Sequence, residues 1–190
     1  MFQVRFHGRG GQGVVTAAEM LSVAAFLEGR HAQAFPSFGS ERMGAPVVSF
    51  CRIDDKEIRL REPILEPDAL IVQDPTLFKV VDVCQGLKPS GYLLVNSNRS
   101  LSELHLDAVV GRLPVGHALA VPASELALQH VGRPLPNAAL LGAFAHLTGI
   151  VGLKSINAAI AEAFARKIAD ANIAAATAAY NVVAGAAAAA

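Results

Sequence analysis

Gly8-Arg9-Gly10-Gly11-Gln12-Gly13 is the segment of this sequence best suited to chemistry. It has the spacing G-x-G-x-x-G, after an alternating run, Met1–His7, and before an apolar periodicity from Gln12 to Glu28. Glycines in such a turn permit a tight bend and a close backbone approach. A helix that starts there offers free N–H groups and positive potential to an anion. A dinucleotide site of this kind also needs an acid at the end of the second strand, for the ribose hydroxyls. The corresponding stretch, His31-Ala32-Gln33-Ala34-Phe35, has none. A triphosphate-binding loop needs Gly-Lys followed by Ser or Thr, and that is missing as well. Gly8, Arg9, Gly10, Gly11, Gln12 and Gly13 are therefore expected to meet a cofactor or a partner chain. The plainer alternative is that the glycines only pack strand against helix.

A second constellation runs from Phe35 to Pro46, with Glu41 and Arg42 adjacent at its centre. Aromatics, glycines and prolines surround them, residues that restrict backbone shape. The loop is expected to hold one conformation and to present Phe38, Gly39, Glu41 and Arg42 to a cofactor or an interface. A solvated surface pair is the alternative. The third is Pro134–Ala143, where Asn137 stands in an N-cap position before a run of small residues. Small residues let a helix or a partner come close, and a buried packing helix is the simpler account. Asp74-Pro75 reads as a helix cap, His7 and His31 as polar residues at strand ends, and Cys51 as core. No Ser/His/Asp or Cys/His set is suggested by spacing. The six histidines form no HxH, HxxH or HxxxH pair, so no metal site is expected.

These residues need elements to position them. Met1–His7 reads as a strand, Gln12–Glu28 as a helix closed by Gly29, and His31–Ala34 as a second strand. That is a Rossmann-like βαβ start. Val47–Ile53 and Lys56–Leu60 read as one antiparallel hairpin turning at Asp54-Asp55. Ala69–Val72 and Tyr92–Val95 are the continuous apolar runs of buried parallel strands, and His117–Val121 is a last strand. Ser124–Val131, Asn137–Leu147 and Lys154–Lys167 have helical spacing, with Ser124 and Ser155 as caps or early-turn residues. Ile173–Ala190 is rich in Ala, which has helix propensity but little transfer energy, and reads as a surface helix rather than a membrane span. The fold expected is α/β, a single domain over 1–170 with a mostly parallel sheet and flanking helices, followed by a helical tail over 171–190. The strand ends at Gly8, Phe35, Gln73-Asp74, Asn96-Ser97 and Pro122 then share one edge, where ligands usually sit.

Composition narrows the function. Lys+Arg and Asp+Glu are 16 each, so the net charge is zero and a grip on nucleic acid is not expected. Charged residues are 17%, against about 25% in an ordinary soluble domain, while 53% are hydrophobic. Apolar surface is left over for a partner chain. Two cysteines cannot supply the four ligands of an iron–sulfur cluster or a Cys-rich zinc site. Met1–His7 is not a signal peptide, so both thiols are expected to be reduced and the location cytoplasmic.

Taken together, VRFHGRGGQGVVTAAEML, HAQAFPSFGSERMGAPVVSFCRID, IRLREPILEPDALIVQDPTL and RPLPNAALLGAFAHLTG resemble the gamma subunit of 2-oxoacid:acceptor oxidoreductases of the pyruvate:ferredoxin oxidoreductase type. They run in family order over most of residues 1–155, with Met43 a departure where family members often carry a basic residue. The resemblance implies a multisubunit enzyme that oxidatively decarboxylates a 2-oxoacid with CoA to an acyl-CoA and CO2. It implies thiamine diphosphate and Mg2+ between alpha and beta partners, and [4Fe-4S] clusters on the beta and a ferredoxin-like delta partner. Electrons pass to ferredoxin, or to NAD through a further electron-transfer subunit. The gamma chain itself would bind no cofactor alone; it would brace the catalytic pair and shape the CoA approach. Pyruvate is the default substrate, and an aryl 2-oxoacid such as phenylglyoxylate is the other. A stand-alone nucleotide-binding module using Gly8–Gly13 is the alternative to all of this.

Overall fold

The computed structural model describes residues 1–37 and 43–188. Strand β1 (Phe2–Arg9) leads through the glycine-rich turn into helix α1 (Val14–Leu27), and β2 (His31–Pro36) and β3 (Pro46–Asp54) follow. Next come β4 (Ala69–Val72), a 3-10 turn over Pro75–Lys79, β5 (Tyr92–Asn96), the short α2 (Asp107–Val110) and β6 (Ala118–Val121). Four helices complete the chain: α3 (Ala123–Val131), α4 (Asn137–Thr148), α5 (Leu153–Ala163) and α6 (Arg166–Ala188).

The six strands lie in the order β2-β3-β1-β4-β5-β6. β1, β4, β5 and β6 are parallel neighbours, and β3 runs antiparallel to both β1 and β2. The continuous apolar runs of β4 and β5 place them at the centre, covered on both faces. On the first face Val4, Phe6, Ala69, Ile71 and Leu94 meet α1 and the C-terminal helices in one core. On the second, Leu70, Val72, Leu93 and Val95 meet Leu77, Val83 and Leu106.

The expected α/β architecture with a mostly parallel sheet is borne out. The hairpin, however, is made by β2 and β3, and Lys56–Leu60 is not a strand. The reason is Arg52, buried on β3, which needs acceptors. Its terminal nitrogens donate to the carbonyls of Leu60 at 3.4 Å and Glu62 at 2.6 Å, so this segment spends its backbone on a guanidinium rather than on a ladder. The helix expected over Lys154–Lys167 breaks at Phe164, whose extended backbone lets its ring pack against the core.

The Ala-rich tail is not a surface helix. Position 170 lies inside α6, and Ala169, Ala175, Ala176, Ala179 and Val183 are buried. Ala side chains let α6 approach α4 so closely that a Cβ on Gly142 would stand 1.9 Å from the carbonyl oxygen of Ala176. No helix among the described residues is long and apolar enough to cross a membrane. Ser124 does not cap α3 with its side chain; Asn96 at the end of β5 does so from outside, accepting from the Ser124 N–H at 3.0 Å. Ser155 lies in the first turn of α5, as expected of an early-turn residue, and the N-cap is Gly152.

Candidate functional site

The edge formed by the C-terminal ends of the parallel strands begins at the glycine-rich turn. Gly8 is part of β1, and a Cβ there would come within 2.6 Å of Val14 Cγ2 and 3.2 Å of Gln73 Cβ. Its bareness lets α1 start directly over the strand. Gly13 is the N-cap of α1 in the left-handed conformation (φ 69°), and a Cβ on it would stand 2.5 Å from Asn137 Nδ2. The starts of α1 and α4 therefore meet there. Asn137 is buried and is the first residue of α4 rather than its N-cap, which is Pro136. Proline enters the helical conformation readily because its ring presets φ. The Asn137 Oδ1 still accepts from the Ala138 N–H at 2.9 Å.

Arg9 and Gln12 are tied down by a residue the sequence offers only as a cap. Asp74 does cap the 3-10 turn, accepting from the Thr76 N–H at 2.9 Å after Pro75 in the first position. Its other oxygen accepts from Arg9 Nε at 3.0 Å and Gln12 Nε2 at 3.1 Å. Burial acts to raise this carboxyl, but the bonds from Thr76 and Gln12 and the Arg9 charge prevail and hold it below its ordinary value. Arg9 Nη1 reaches on to the carbonyl of Gly44 at 3.0 Å. Gly10 and Met43 form a parallel bridge, with Gly10 N–H donating to Ala45 O and Gly44 N–H to Gly10 O. The base of the second loop is thus laced to the turn. A cleft of about 270 Å³ opens beside it, lined by Arg9, Gly10, Gly11, Gly13, Thr16 and Val47 among others.

Gly8, Arg9, Gly10, Gly11, Gln12, Gly13 and Asn137 are accordingly brought together. Phe38, Gly39, Glu41 and Arg42 lie outside the described residues. His7 is not a strand-end residue. It is buried in β1, accepts from Arg5 Nε at 3.0 Å, and is held to about 3 by burial first and by the Arg5 charge second. Cys51 is buried, as expected, and burial pushes its thiol up. Cys84 is half-buried, and burial with the nearby Asp82 raises it to about 11. Among the described residues no group of three or more His, Cys, Asp or Glu is placed to hold a metal ion.

Topology completes the case against a dinucleotide site. In that fold the acid for the ribose comes from the strand after the first crossover, next to the glycine-rich strand. Here β3 is inserted between β1 and β2. The acid that does reach the turn, Asp74, has both oxygens engaged. The arrangement offers backbone donors at an uncapped helix start and a shaped, charge-compensated edge.

Residues 3–182 match the family model described as pyruvate ferredoxin/flavodoxin oxidoreductase. The chain is 48% identical over 183 residues to the pyruvate/ketoisovalerate oxidoreductases common subunit gamma of Thermococcus kodakarensis, covering 95% of this chain and 96% of the relative. It is 47% identical to the pyruvate synthase subunit PorC of Methanocaldococcus jannaschii, over 95% and 96% of the two chains. Among solved structures, pyruvate oxidoreductase subunit PORC of Thermotoga maritima superimposes with a TM-score of 0.79 at 36% identity, over 95% of each chain. With a family model matched over residues 3–182 and relatives near half-identical over nearly the whole length, this chain belongs to the pyruvate ferredoxin/flavodoxin oxidoreductase family.

Proposed function

We propose that this chain is the gamma subunit of a cytoplasmic, multisubunit 2-oxoacid oxidoreductase that converts pyruvate and CoA to acetyl-CoA and CO2 and hands two electrons to ferredoxin. The observation that carries the proposal is the near full-length, 48% identity to a chain named as the gamma subunit common to pyruvate and ketoisovalerate oxidoreductases. One gamma chain serving two 2-oxoacids implies that the substrate is chosen elsewhere in the complex. Pyruvate is assigned because the relatives' names carry it; phenylglyoxylate and an NAD-linked acceptor have no such support.

A four-cysteine iron–sulfur cluster does not fit this chain, which has two cysteines. Cys51 is sealed in the core and Cys84 stands apart from it on the other side of the sheet, so neither joins a cluster site. As the family resemblance implies, thiamine diphosphate, Mg2+ and the [4Fe-4S] clusters are assigned to the alpha, beta and delta partners, and no chemical step is placed on this chain's residues. The glycine-rich turn, the second loop and Asn137 are assigned to docking those partners where CoA approaches. Compensation of Arg9 by Asp74 supports a docking edge over a phosphate site, because the turn then presents backbone rather than free positive charge.

The test is to purify the native complex through a tag on this chain and assay CoA-dependent reduction of ferredoxin with pyruvate, 2-ketoisovalerate and phenylglyoxylate. Pyruvate turnover is expected, with iron and thiamine diphosphate in the complex and neither in the chain purified alone. Stoichiometric iron or thiamine diphosphate on the single chain, or a complex inert towards all three acids, would refute the assignment.

A further inference from the structure

Asp74 is more than a cap. Capping the 3-10 turn requires one acceptor for the Thr76 N–H, and Oδ1 provides it, at 2.9 Å, while also accepting from Thr76 Oγ1 at 2.6 Å. Oδ2 is free of that duty and crosses from β4 to the neighbouring strand's turn, holding Arg9 Nε and Gln12 Nε2. Gln12 folds its own Oε1 back onto the Arg9 N–H at 2.8 Å. Arg9 also donates from Nη2 to Thr76 Oγ1 at 2.8 Å and from Nη1 to Gly44 O at 3.0 Å. The result is a closed circuit through three chain segments: the end of β1, the turn after β4, and the base of the second loop.

We propose that Asp74 is the positioning residue of the glycine-rich turn, locking it through Arg9 and Gln12 to Gly44 at the base of the second loop so that turn and loop base meet a partner subunit as one preformed surface. The proposal rests on the reading of this edge as partner-facing. Its physical basis is preorganisation: a long Arg side chain and a glycine-rich backbone ordered in advance lose less freedom on docking. Asp74 touches no reacting atoms and acts through Arg9.

Asp74→Ser separates capping from positioning, because serine can accept from the Thr76 N–H but is too short to reach Arg9 or Gln12. In the full-length chain it should leave the melting temperature within a few degrees of wild type and speed amide exchange at Gly10 and Gly44. With the remaining subunits, purified from cells lacking this chain, it should raise the dissociation constant roughly tenfold or more. Should Asp74→Ser fail to fold, Arg9→Met cuts the same link from its other end with the cap intact, and the same exchange and affinity changes are expected. Assembly at wild-type affinity in these variants overturns the proposal, and so does weakened assembly with unchanged exchange at Gly10 and Gly44. Thr16→Tyr, at the mouth of the cleft, tests the underlying reading. If Thr16→Tyr blocks assembly while Asp74→Ser does not, the positioning role alone is wrong; if Thr16→Tyr has no effect, the edge is not partner-facing and both fall.

Discussion

Arg5 and His7 share the second face of β1, and both are buried. Among the described residues Arg5 has no carboxylate hydrogen-bond partner; it donates to His7 Nε2 and to the carbonyls of Ile64, Leu65, Val83 and Gln85. His7 must therefore keep a lone pair at Nε2, and burial holds its proton affinity down at about 3. The unfolded chain takes up that proton near the ordinary value of about 6.5, so the unfolded state binds more protons as the pH falls. Stability is full above about 6.5 and declines towards about 3, by up to a few kcal/mol. Thermal melts from pH 7.5 to pH 4 should show this decline in the wild type and a shallower one in His7→Gln, whose amide oxygen can still accept from Arg5. Parallel curves would assign the acid sensitivity to other groups. The alternation in the sequence ends at His7, which places it at the end of a strand. β1 runs on to Arg9, so His7 lies within the strand and is buried there. Gly13 is a second case: Ala there must hold φ 69° and displace the buried Asn137 amide, whereas Ala at Gly11 (φ 93°) meets only the exposed Met43. Gly13→Ala should cost more than the roughly 1–2 kcal/mol of left-handed strain expected at Gly11. Adding Asn137→Ala should recover part of that excess in a double-mutant cycle of denaturant midpoints; strict additivity would mean that the two residues do not press on each other.

At the scale of elements, α4 and α6 are held by what their residues lack. Gly142→Ala would drive a Cβ into the Ala176 carbonyl, a backbone atom that cannot swing aside. The helices must part, at a cost of about 1–3 kcal/mol or more. Gly185 on the same α6 has nothing within 4 Å of its would-be Cβ, so Gly185→Ala should stabilise by up to about 1 kcal/mol through helix propensity. Opposite shifts in melting temperature are expected, and a neutral Gly142→Ala would mean that the helices are not locked. Helical spacing made both elements legible, yet it could not show that an Ala-rich run buries its small face against another helix, because Ala suits a surface and a tight contact equally. The hairpin failed for a similar reason. Alternation in Lys56–Leu60 is compatible with a strand, but the demand of Arg52 for carbonyls is a tertiary fact. The site was legible wherever motif and strand end coincide, as at Gly8–Gly13. Asp74 escaped as a site residue because its partners Arg9 and Gln12 lie 65 and 62 residues away, and only the pairing of β4 with β1 brings them together.

For the whole molecule, the two faces of the sheet are unequally covered. The first carries α1 and the C-terminal helices in one deep core; the second has a smaller cluster under the 3-10 turn, α2 and connecting loops. Apolar side chains remain in water on that thinner side, with Leu65 76%, Val80 62% and Val81 40% exposed. Val80 and Val81 line a cleft of about 570 Å³ with Phe78, Leu104 and Leu106. The low charge fraction announced surplus apolar surface without locating it, since these loops have no periodicity to read. Net charge is zero near pH 7, so little long-range repulsion opposes association of isolated chains through this surface. The purified chain should therefore self-associate reversibly near neutral pH, visible as a concentration-dependent sedimentation coefficient, and sulfate should strengthen it by favouring apolar burial. Val80→Ser with Val81→Ser removes apolar area without changing charge. It should reduce the association while leaving the melting temperature nearly unchanged, because neither side chain is in the buried cluster. A wild-type chain that sediments as one monomeric species at every concentration, with and without sulfate, would show that the exposed face is too small or too scattered to bind anything by itself.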